Sequence, residues 1–424
     1  MTHFGIICPA STGHLNTMFP LGRELQRRGH CVTLLGILDL QAKAIAAGLE
    51  FQAIAESDSP LGSMEKIFAK IGELSGSAAI RFTVGALKNA SVAILRDAPD
   101  AIKQVGIEAL LVDQLCPAGG TVAEYLGIPF ITVCSAVVMN QEDGVPPWFK
   151  VWSYNPGWWA RVRNQISHSA MNRIAKPIQE PIIEYRQRWN LPQHSNRSDA
   201  YSKLAIISQQ PAEFEFPRRN LPPYFHFTGP YHDSTGRPGV DFPFEKLNGK
   251  PLIYASMGTL QNRLQSVFQT IAEACVGLDA QLVISLGGAL EPEGLKLSGE
   301  PLVVKYAPQL ELLQKASLVI THAGLNTTLE SLKNAVPMVA IPVTNDQPGV
   351  AARIAWTGAG ELVPLDKLSV PKLRDAISRV LTQESYKQNA VRLQEAIASA
   401  GGVSRAIDIV ENAISTGKAI IQSA

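Results

Sequence analysis

Short apolar runs alternate along the chain with longer stretches whose apolar residues recur at helical spacing. Phe4-Gly5-Ile6-Ile7-Cys8, Cys31-Val32-Thr33-Leu34-Leu35, Ala109-Leu110-Leu111-Val112-Asp113 and Phe130-Ile131-Thr132-Val133 read as strands buried on both faces. Pro9 to His14 reads as a loop. Leu15 to Arg28 then places Met18, Leu21 and Leu25 on one side of a helix that Gly29-His30 stops. The same grammar restarts in the second half with Leu252-Ile253-Tyr254-Ala255-Ser256, Gln281-Leu282-Val283-Ile284-Ser285, Leu302-Val303-Val304 and a run ending at Thr321. Strands spaced by helices predict βαβ units and parallel sheets. The polar stretch Asp233 to Gly239 divides the halves. The predicted organisation is a first Rossmann-like domain over 1–232, a linker over 233–248 and a second Rossmann-like domain over 249–400. A helical tail over 401–424 follows. Ligands in such folds sit outside the carboxyl ends of the strands.

One segment departs from the alternation. Residues 145–192 hold Trp148, Trp152, Trp158, Trp159 and Trp189, five of the six tryptophans, interleaved with Lys150, Arg161, Arg163, Arg173, Lys176, Arg186 and Arg188. Two compatible readings stand: a helical insertion whose aromatics pack on the core, and an acceptor lid whose amphipathic helices meet a lipophilic substrate or a membrane.

Composition narrows the classes. A chain of 424 residues with 46% hydrophobic residues has material for two ordinary domains. A formal net charge of +1 gives no pull toward nucleic acid, and no nucleic-acid partner is expected. Cys8, Cys31, Cys116, Cys134 and Cys275 are odd in number and scattered, as buried free thiols in a reducing compartment would be. The start lacks a signal-peptide pattern, and no run reaches the ~20 apolar residues of a spanning helix. A cytoplasmic, monomeric protein with at most peripheral membrane contact is expected.

Candidate chemistry concentrates between Ile320 and Val350. After the strand Leu318-Val319-Ile320 comes His322-Ala323-Gly324, and Asn326 onward reads as a helix start. A helix N-terminus offers unpaired N–H groups and partial positive charge, which suits a diphosphate. Gly324 permits close backbone approach, and His322 can add a donor. Glu330, deeper in the helix, can accept from two ribose hydroxyls, and Asp346-Gln347 at the next helix start can hold sugar hydroxyls. No D-x-D pair follows a strand, so neither a metal nor a prosthetic group is expected. In the first half His14 follows strand one; imidazole titrates where a base at neutral pH should. Asp113, at another strand's carboxyl end, is the candidate to orient it, with a helix N-cap as the competing role.

The ordered set H-x-G-x-N-T-x-x-E (His322 to Glu330), Val336-Pro337, Ile341-Pro342 and Asp346-Gln347 resembles the donor signature of the UDP-glycosyltransferases, an inverting family acting on small lipophilic molecules. Asp346-Gln347-Pro348-Gly349-Val350-Ala351-Ala352-Arg353 is similar to the corresponding run in carotenoid (zeaxanthin) glucosyltransferases and related macrolide-type enzymes. Gly13 to Leu21, as G-H-x-x-x-x-x-P-L, resembles the family's catalytic-histidine loop.

The resemblance implies a GT-B fold whose C-terminal helix crosses back to the first domain. It implies His14 as base, Asp113 as its partner, and hexose transfer, with glucose favoured, from a UDP-sugar co-substrate to a carotenoid, phenol or flavonoid-like alcohol. For the donor it implies Gly13, Ser256, Gly258 and Thr259 from an S-x-G-S/T loop, and Tyr306, Ala307 and Gln309 from a W-x-P-Q element in which tyrosine replaces tryptophan. It adds His322, Gly324, Leu325, Asn326, Thr327, Glu330, Asp346 and Gln347. Met139, Trp148 and Trp152 are the acceptor candidates. A sugar-nucleotide epimerase of the same fold and a non-catalytic UDP-sugar binding protein are the alternatives.

Overall fold

The computed structural model describes residues 1–73, 76–232, 239–258, 264–288 and 290–422. In the first half the apolar runs form β1 (His3–Ile7), β2 (Cys31–Gly36), β3 (Glu50–Ala53), β4 (Ala109–Asp113), β5 (Phe130–Cys134), β6 (Ile206–Ser208) and β7 (Phe225–Phe227). Every residue of β4 and β5 is buried, as expected of strands covered on both faces. The helices between them are α1 (Thr12–Arg27), α2 (Gln41–Ala46), α3 (Ser63–Glu73), α4 (Gly76–Val105), α5 (Pro117–Leu126), α6 (Trp158–Ile174) and α7 (Lys176–Arg188). All strands pair in parallel, in the order β3-β2-β1-β4-β5-β6-β7.

The second half repeats the plan. Its strands are β8 (Leu252–Ser256), β9 (Gln281–Ser285), β10 (Leu302–Val304), β11 (Ala316–Thr321), β12 (Met338–Ala340) and β13 (Gly360–Leu362). They form a parallel sheet in the order β10-β9-β8-β11-β12-β13. Its helices are α8 (Gln265–Cys275), α9 (Gln309–Leu313), α10 (Leu325–Lys333), α11 (Gln347–Trp356), α12 (Val370–Thr382) and α13 (Glu384–Ser399).

Each sheet reverses its strand order once, between β1 and β4 in the first and between β8 and β11 in the second. Such switch points open a crevice at the strands' carboxyl ends. All four strands that flank them deliver candidate residues: His14 follows β1, Asp113 ends β4, Ser256 ends β8 and His322 follows β11.

The tail behaves as expected. Helix α14 (Gly402–Thr416) packs against α1, and its Ala406, Ile407, Val410 and Ala413 join the core of the first sheet. Beyond it, Ile420 N–H donates to the Leu204 carbonyl at 2.9 Å. Of the expected linker, 233–238 lie outside the described residues, while Phe242, Phe244 and Leu247 pack on the second lobe's core.

The tryptophan-rich segment divides into unlike parts. Helix α7 turns Ile178 and Ile182 inward, Arg186 pairs with Glu124 at 2.7 Å, and Trp189 stacks on Tyr125 at 4.0 Å. These aromatics pack as an ordinary insertion would. Helix α6 instead leaves Trp158 and Trp159 exposed. No described helix is long and apolar enough to cross a membrane.

Candidate active site

The two lobes face each other across a cleft of about 500 Å³. His14 lies on its first-lobe wall, in the opening turn of α1 rather than in the loop before it, because the helix begins at Thr12. Its Nδ1 is 2.7 Å from Asp113 Oδ2. Asp113 is fully buried, and its Oδ1 accepts from the Leu115 N–H at 2.9 Å. It is not the N-cap of α5, which is Cys116. Burial disfavours the charged His14 ring, but the Asp113 charge and hydrogen bond, with the more distant Asp346 charge, outweigh it and raise the pKa above the ordinary value. Gly13 faces open cleft: a Cβ there would meet no protein atom within 4 Å.

On the second-lobe wall, β11 turns sharply into α10. Ala323 takes a left-handed φ of 64°, and its N–H donates to Thr321 Oγ1 at 3.1 Å. The first helical bond runs from the Thr328 N–H to the Gly324 carbonyl at 3.0 Å. The N–H groups of Leu325, Asn326 and Thr327 precede it and have no intrahelical acceptor. His322 is wedged between two glycines: an added Cβ would lie 2.7 Å from its ring at Gly258 and 2.5 Å from it at Gly324. Gly324 itself has an ordinary φ of −65°, so it serves the histidine's space and not backbone twist. Burial pushes the His322 pKa down to about 4 against a backbone contact from Ser256. At neutral pH His322 is therefore a neutral ring with one N–H to donate, and not a cation.

Deeper in the same wall, Gln309 Nε2 donates to Glu330 Oε2 at 2.5 Å, and the Tyr254 hydroxyl donates to Gln309 Oε1 at 3.3 Å. Glu330 is 1% exposed, and its Oε1 is 4.0 Å from His232 Nε2. Tyr306 is half exposed and lines the cleft with Ala307, Leu325, Thr327 and Ser256. Its hydroxyl lies over Gly288, where a Cβ would approach it to 1.9 Å. Thr259 falls outside the described residues.

Two expected donor contacts are already engaged within the protein. Asn326 Nδ2 donates to the Gly13 carbonyl at 2.8 Å, and its Oδ1 accepts from Gln209 Nε2 at 2.9 Å. Its side chain thus ties the lobes together, leaving its backbone N–H to the cleft. Gln347 Oε1 accepts from the Val343 and Thr344 N–H groups at 2.9 and 3.0 Å, leaving its amide NH2 as the cleft donor. Asp346 Oδ2 accepts from the Val137 N–H across the cleft at 3.2 Å. Burial raises the Asp346 pKa, while that hydrogen bond and the His14 charge hold it down in part.

On the open side, Met139 and Trp148 line the cleft with Leu87 and Leu115. The Trp148 backbone lies so close to α11 that a Cβ at Gly349 would come within 2.1 Å of its carbonyl oxygen. Trp152 is not among the lining residues. Its ring lies under the Arg163 guanidinium at 4.1 Å.

Sequence reasoning passed over Tyr254, Gln209, Val137 and Ser285. Tyr254 and Ser285 sit on strands whose ends the fold rule points to the cleft, so a polar residue in those runs was the available signal. Gln209 and Val137 lie in irregular segments and carried none. Among the described residues no cluster of three or more His, Cys, Asp or Glu side chains is arranged to hold a metal ion.

A family model described as UDP-glucoronosyl and UDP-glucosyl transferase matches residues 77–398. The chain is 31% identical to a zeaxanthin glucosyltransferase of Pantoea ananas over 99% of its own length and 98% of that protein's. It is 32% identical to one of Pseudescherichia vulneris, covering 99% and 100%. Among solved structures it resembles the glycotransferase of kitacinnamycin (TM-score 0.77, 21% identity, 97% and 99% covered) and the calicheamicin glycosyltransferase CalG4 (TM-score 0.77, 21% identity, 98% of each). At that identity the structural likeness establishes the shared GT-B fold.

Proposed function

The chain belongs to the UDP-glucoronosyl and UDP-glucosyl transferase family, and from that membership we propose that it moves glucose from UDP-glucose, with inversion, to a hydroxyl of a lipophilic small molecule. A carotenoid such as zeaxanthin is the first acceptor to test. The observation that carries the reading is the 2.7 Å contact between His14 Nδ1 and buried Asp113, held on the cleft wall that faces the α10 N-terminus.

With Nδ1 held by Asp113, Nε2 is the nitrogen left to take a proton. As His14 removes it from the acceptor hydroxyl, the acceptor oxygen bonds to the anomeric carbon from the face opposite the diphosphate. The bond from that carbon to the β-phosphate oxygen breaks, and UDP leaves with the bonding pair. The imidazolium is stabilised by Asp113 until its proton passes to solvent. The diphosphate charge meets the α10 N–H groups, the helix dipole and the neutral His322 donor. Tyr306 stacks on the uracil, Glu330 and Gln309 take the ribose hydroxyls, and Asp346 and the Gln347 amide hold glucose. Met139 and Trp148 form the acceptor wall.

Glucose is favoured by the Asp346-Gln347 pair and by the likeness to two glucosyltransferases. The paired His14 and Asp113 speak against a non-catalytic binding protein, and the full-length likeness to transferases speaks against an epimerase. Incubation with UDP-glucose and a panel of carotenoids and phenols tests the proposal. UDP release matched by a β-glucoside, persisting in EDTA, is expected. His14→Ala should cost at least ~10³-fold in kcat and retain UDP affinity. Isomerisation of the sugar nucleotide without acceptor, or tight binding without turnover, would replace this reading with one of the alternatives.

A further inference from the structure

Helix α6 is built inside out. Its buried side carries Ala160, Asn164 and His168, one per turn, and Asn164 Nδ2 donates to the Asp143 carbonyl at 3.0 Å. Its outer side carries the apolar residues: Trp158 is 78% exposed, Ile166 66%, Trp159 49%, Val162 47% and Ile174 42%. A surface helix of a globular protein has the opposite arrangement. Holding these side chains in water is unfavourable, so such a face marks something that covers it.

The charge pattern says what kind of partner fits. From Lys150 to Gln179 the sequence carries Lys150, Arg161, Arg163, Arg173 and Lys176 and no carboxylate, in a chain with a formal net charge of only +1. Arg161 and Arg173 are exposed on α6 itself. The Arg163 guanidinium lies 4.1 Å from the Trp152 ring and 5.2 Å from the Trp159 ring, so the aromatic end of the face is buttressed. An apolar stripe flanked by cations, with tryptophans at one end, matches the boundary between anionic headgroups and acyl chains. The helix is also tied to the cleft mouth. Gln141 and Asn172 exchange side-chain amide hydrogen bonds of 2.8 and 3.0 Å, and Gln141 belongs to the loop whose Met139 lines the cleft.

We propose that the outer face of α6 seats the protein on an anionic lipid bilayer, with the acceptor side of the cleft beside the membrane. A lipophilic acceptor then reaches the cleft from the acyl region without crossing open water. The seat rests on the exposed face alone; its use in acceptor delivery rests on the glycosyl-transfer reading.

Co-sedimentation of the full chain with vesicles tests the seat. Binding to vesicles containing phosphatidylglycerol, a blue shift of tryptophan emission, weaker binding to pure phosphatidylcholine and weakening by salt are expected. The double variant Trp158→Ser/Ile166→Ser alters exposed side chains only. It should keep the wild-type melting transition and its turnover of a water-soluble phenol, yet lose vesicle affinity at least about tenfold. No wild-type binding to anionic vesicles, or undiminished binding by the double variant, would overturn the proposal. So would a solution dimer that the double variant converts to monomer, since the face would then be a subunit contact. Vesicle binding by a chain inactive toward every acceptor would remove the catalytic reading and leave the seat standing.

Discussion

The Asn326 side-chain amide donates to the Gly13 carbonyl at 2.8 Å, bonding the first turn of the diphosphate-facing helix to the residue just before the proposed base. The spacing between base and donor is thus set partly by one asparagine, itself held by Gln209 from the first lobe. Asn326→Ala should lower kcat about 10- to 100-fold, since small misplacements of reacting groups cost that much. UDP affinity, which draws on backbone N–H groups, should change little. Steady-state kinetics beside calorimetric UDP titration separates the two, and an equal loss in both would show that the side chain touches the donor.

Asp113 governs the protonation of His14, and the pH profile should report it. The raised pKa of His14 places the acidic limb of kcat/KM above the ordinary histidine value of about 6.5. Asp113→Asn should move that limb to lower pH and reduce kcat about 10²- to 10⁴-fold. The pair also stabilises the fold at pH below about 6.5, a contribution lost as pH rises through the folded pKa. A limb that stays in place in the variant would remove Asp113 from its proposed role.

His322 makes the opposite contribution. Its folded pKa of about 4 lies below the unfolded value, so the unfolded chain binds the proton more readily. The stability it permits is complete above about pH 6.5 and lost as pH falls toward 4. The loss is on the order of 2 kcal/mol, below the full shift because the ring edge opens to the cleft. Urea unfolding of wild type and His322→Gln between pH 4 and 7 checks this, and the variant should show a shallower decline.

The strands were the most legible part of the molecule. Ala109–Asp113, Leu252–Ser256 and Gln281–Ser285 stand where their apolar runs begin and end, because parallel strands buried on both faces admit little else; the partly buried edge strand Leu302–Val304 was legible from its apolar run alone. The other three-residue strands, β6, β7, β12 and β13, carry too few residues to show a period. The placement of candidate site residues was legible where they sit at strand ends, as with His14, Asp113, Ser256 and His322. What sequence cannot carry is which atoms of a polar residue the fold itself occupies. Asn326 and Gln347 read as ligand contacts, yet the fold engages both ends of the Asn326 amide and the Gln347 carbonyl oxygen.

Gln347 therefore has a structural role separable from any sugar. Its Oε1 satisfies two backbone N–H groups at the start of α11, and Gln347→Leu leaves both without that acceptor. The ligand-free variant should lose about 1–3 kcal/mol in urea unfolding, besides any rise in KM for UDP-glucose. Unchanged stability would mean that the loop finds other partners.

The last residue of the Asp346–Arg353 run lies away from the cleft lining. Arg353 is fully buried, its Nη2 is 2.5 Å from Glu215 Oε1 of the first lobe, and its guanidinium lies 4.5 Å from the Phe216 ring. Burial opposes the Glu215 charge, but Arg353 and Arg218 keep its pKa below the usual carboxylate value. Glu215→Gln leaves Arg353 charged and buried and should cost about 3–5 kcal/mol; Glu215→Leu with Arg353→Met should restore much of that. Chemical denaturation of the single and double variants makes the comparison.

The crossing of α14 has a consequence for the order in which the molecule is made. Ala406, Ile407, Val410 and Ala413 are wholly buried beside Met18, Leu21 and Leu25 of α1. The core that α1 begins is thus sealed by a helix that follows the whole second lobe in the chain. The first lobe must wait, with part of an apolar face uncovered, until α14 has been made. A chain cut before α14 would hold His14 and Asp113 in a first lobe that lacks its final wall.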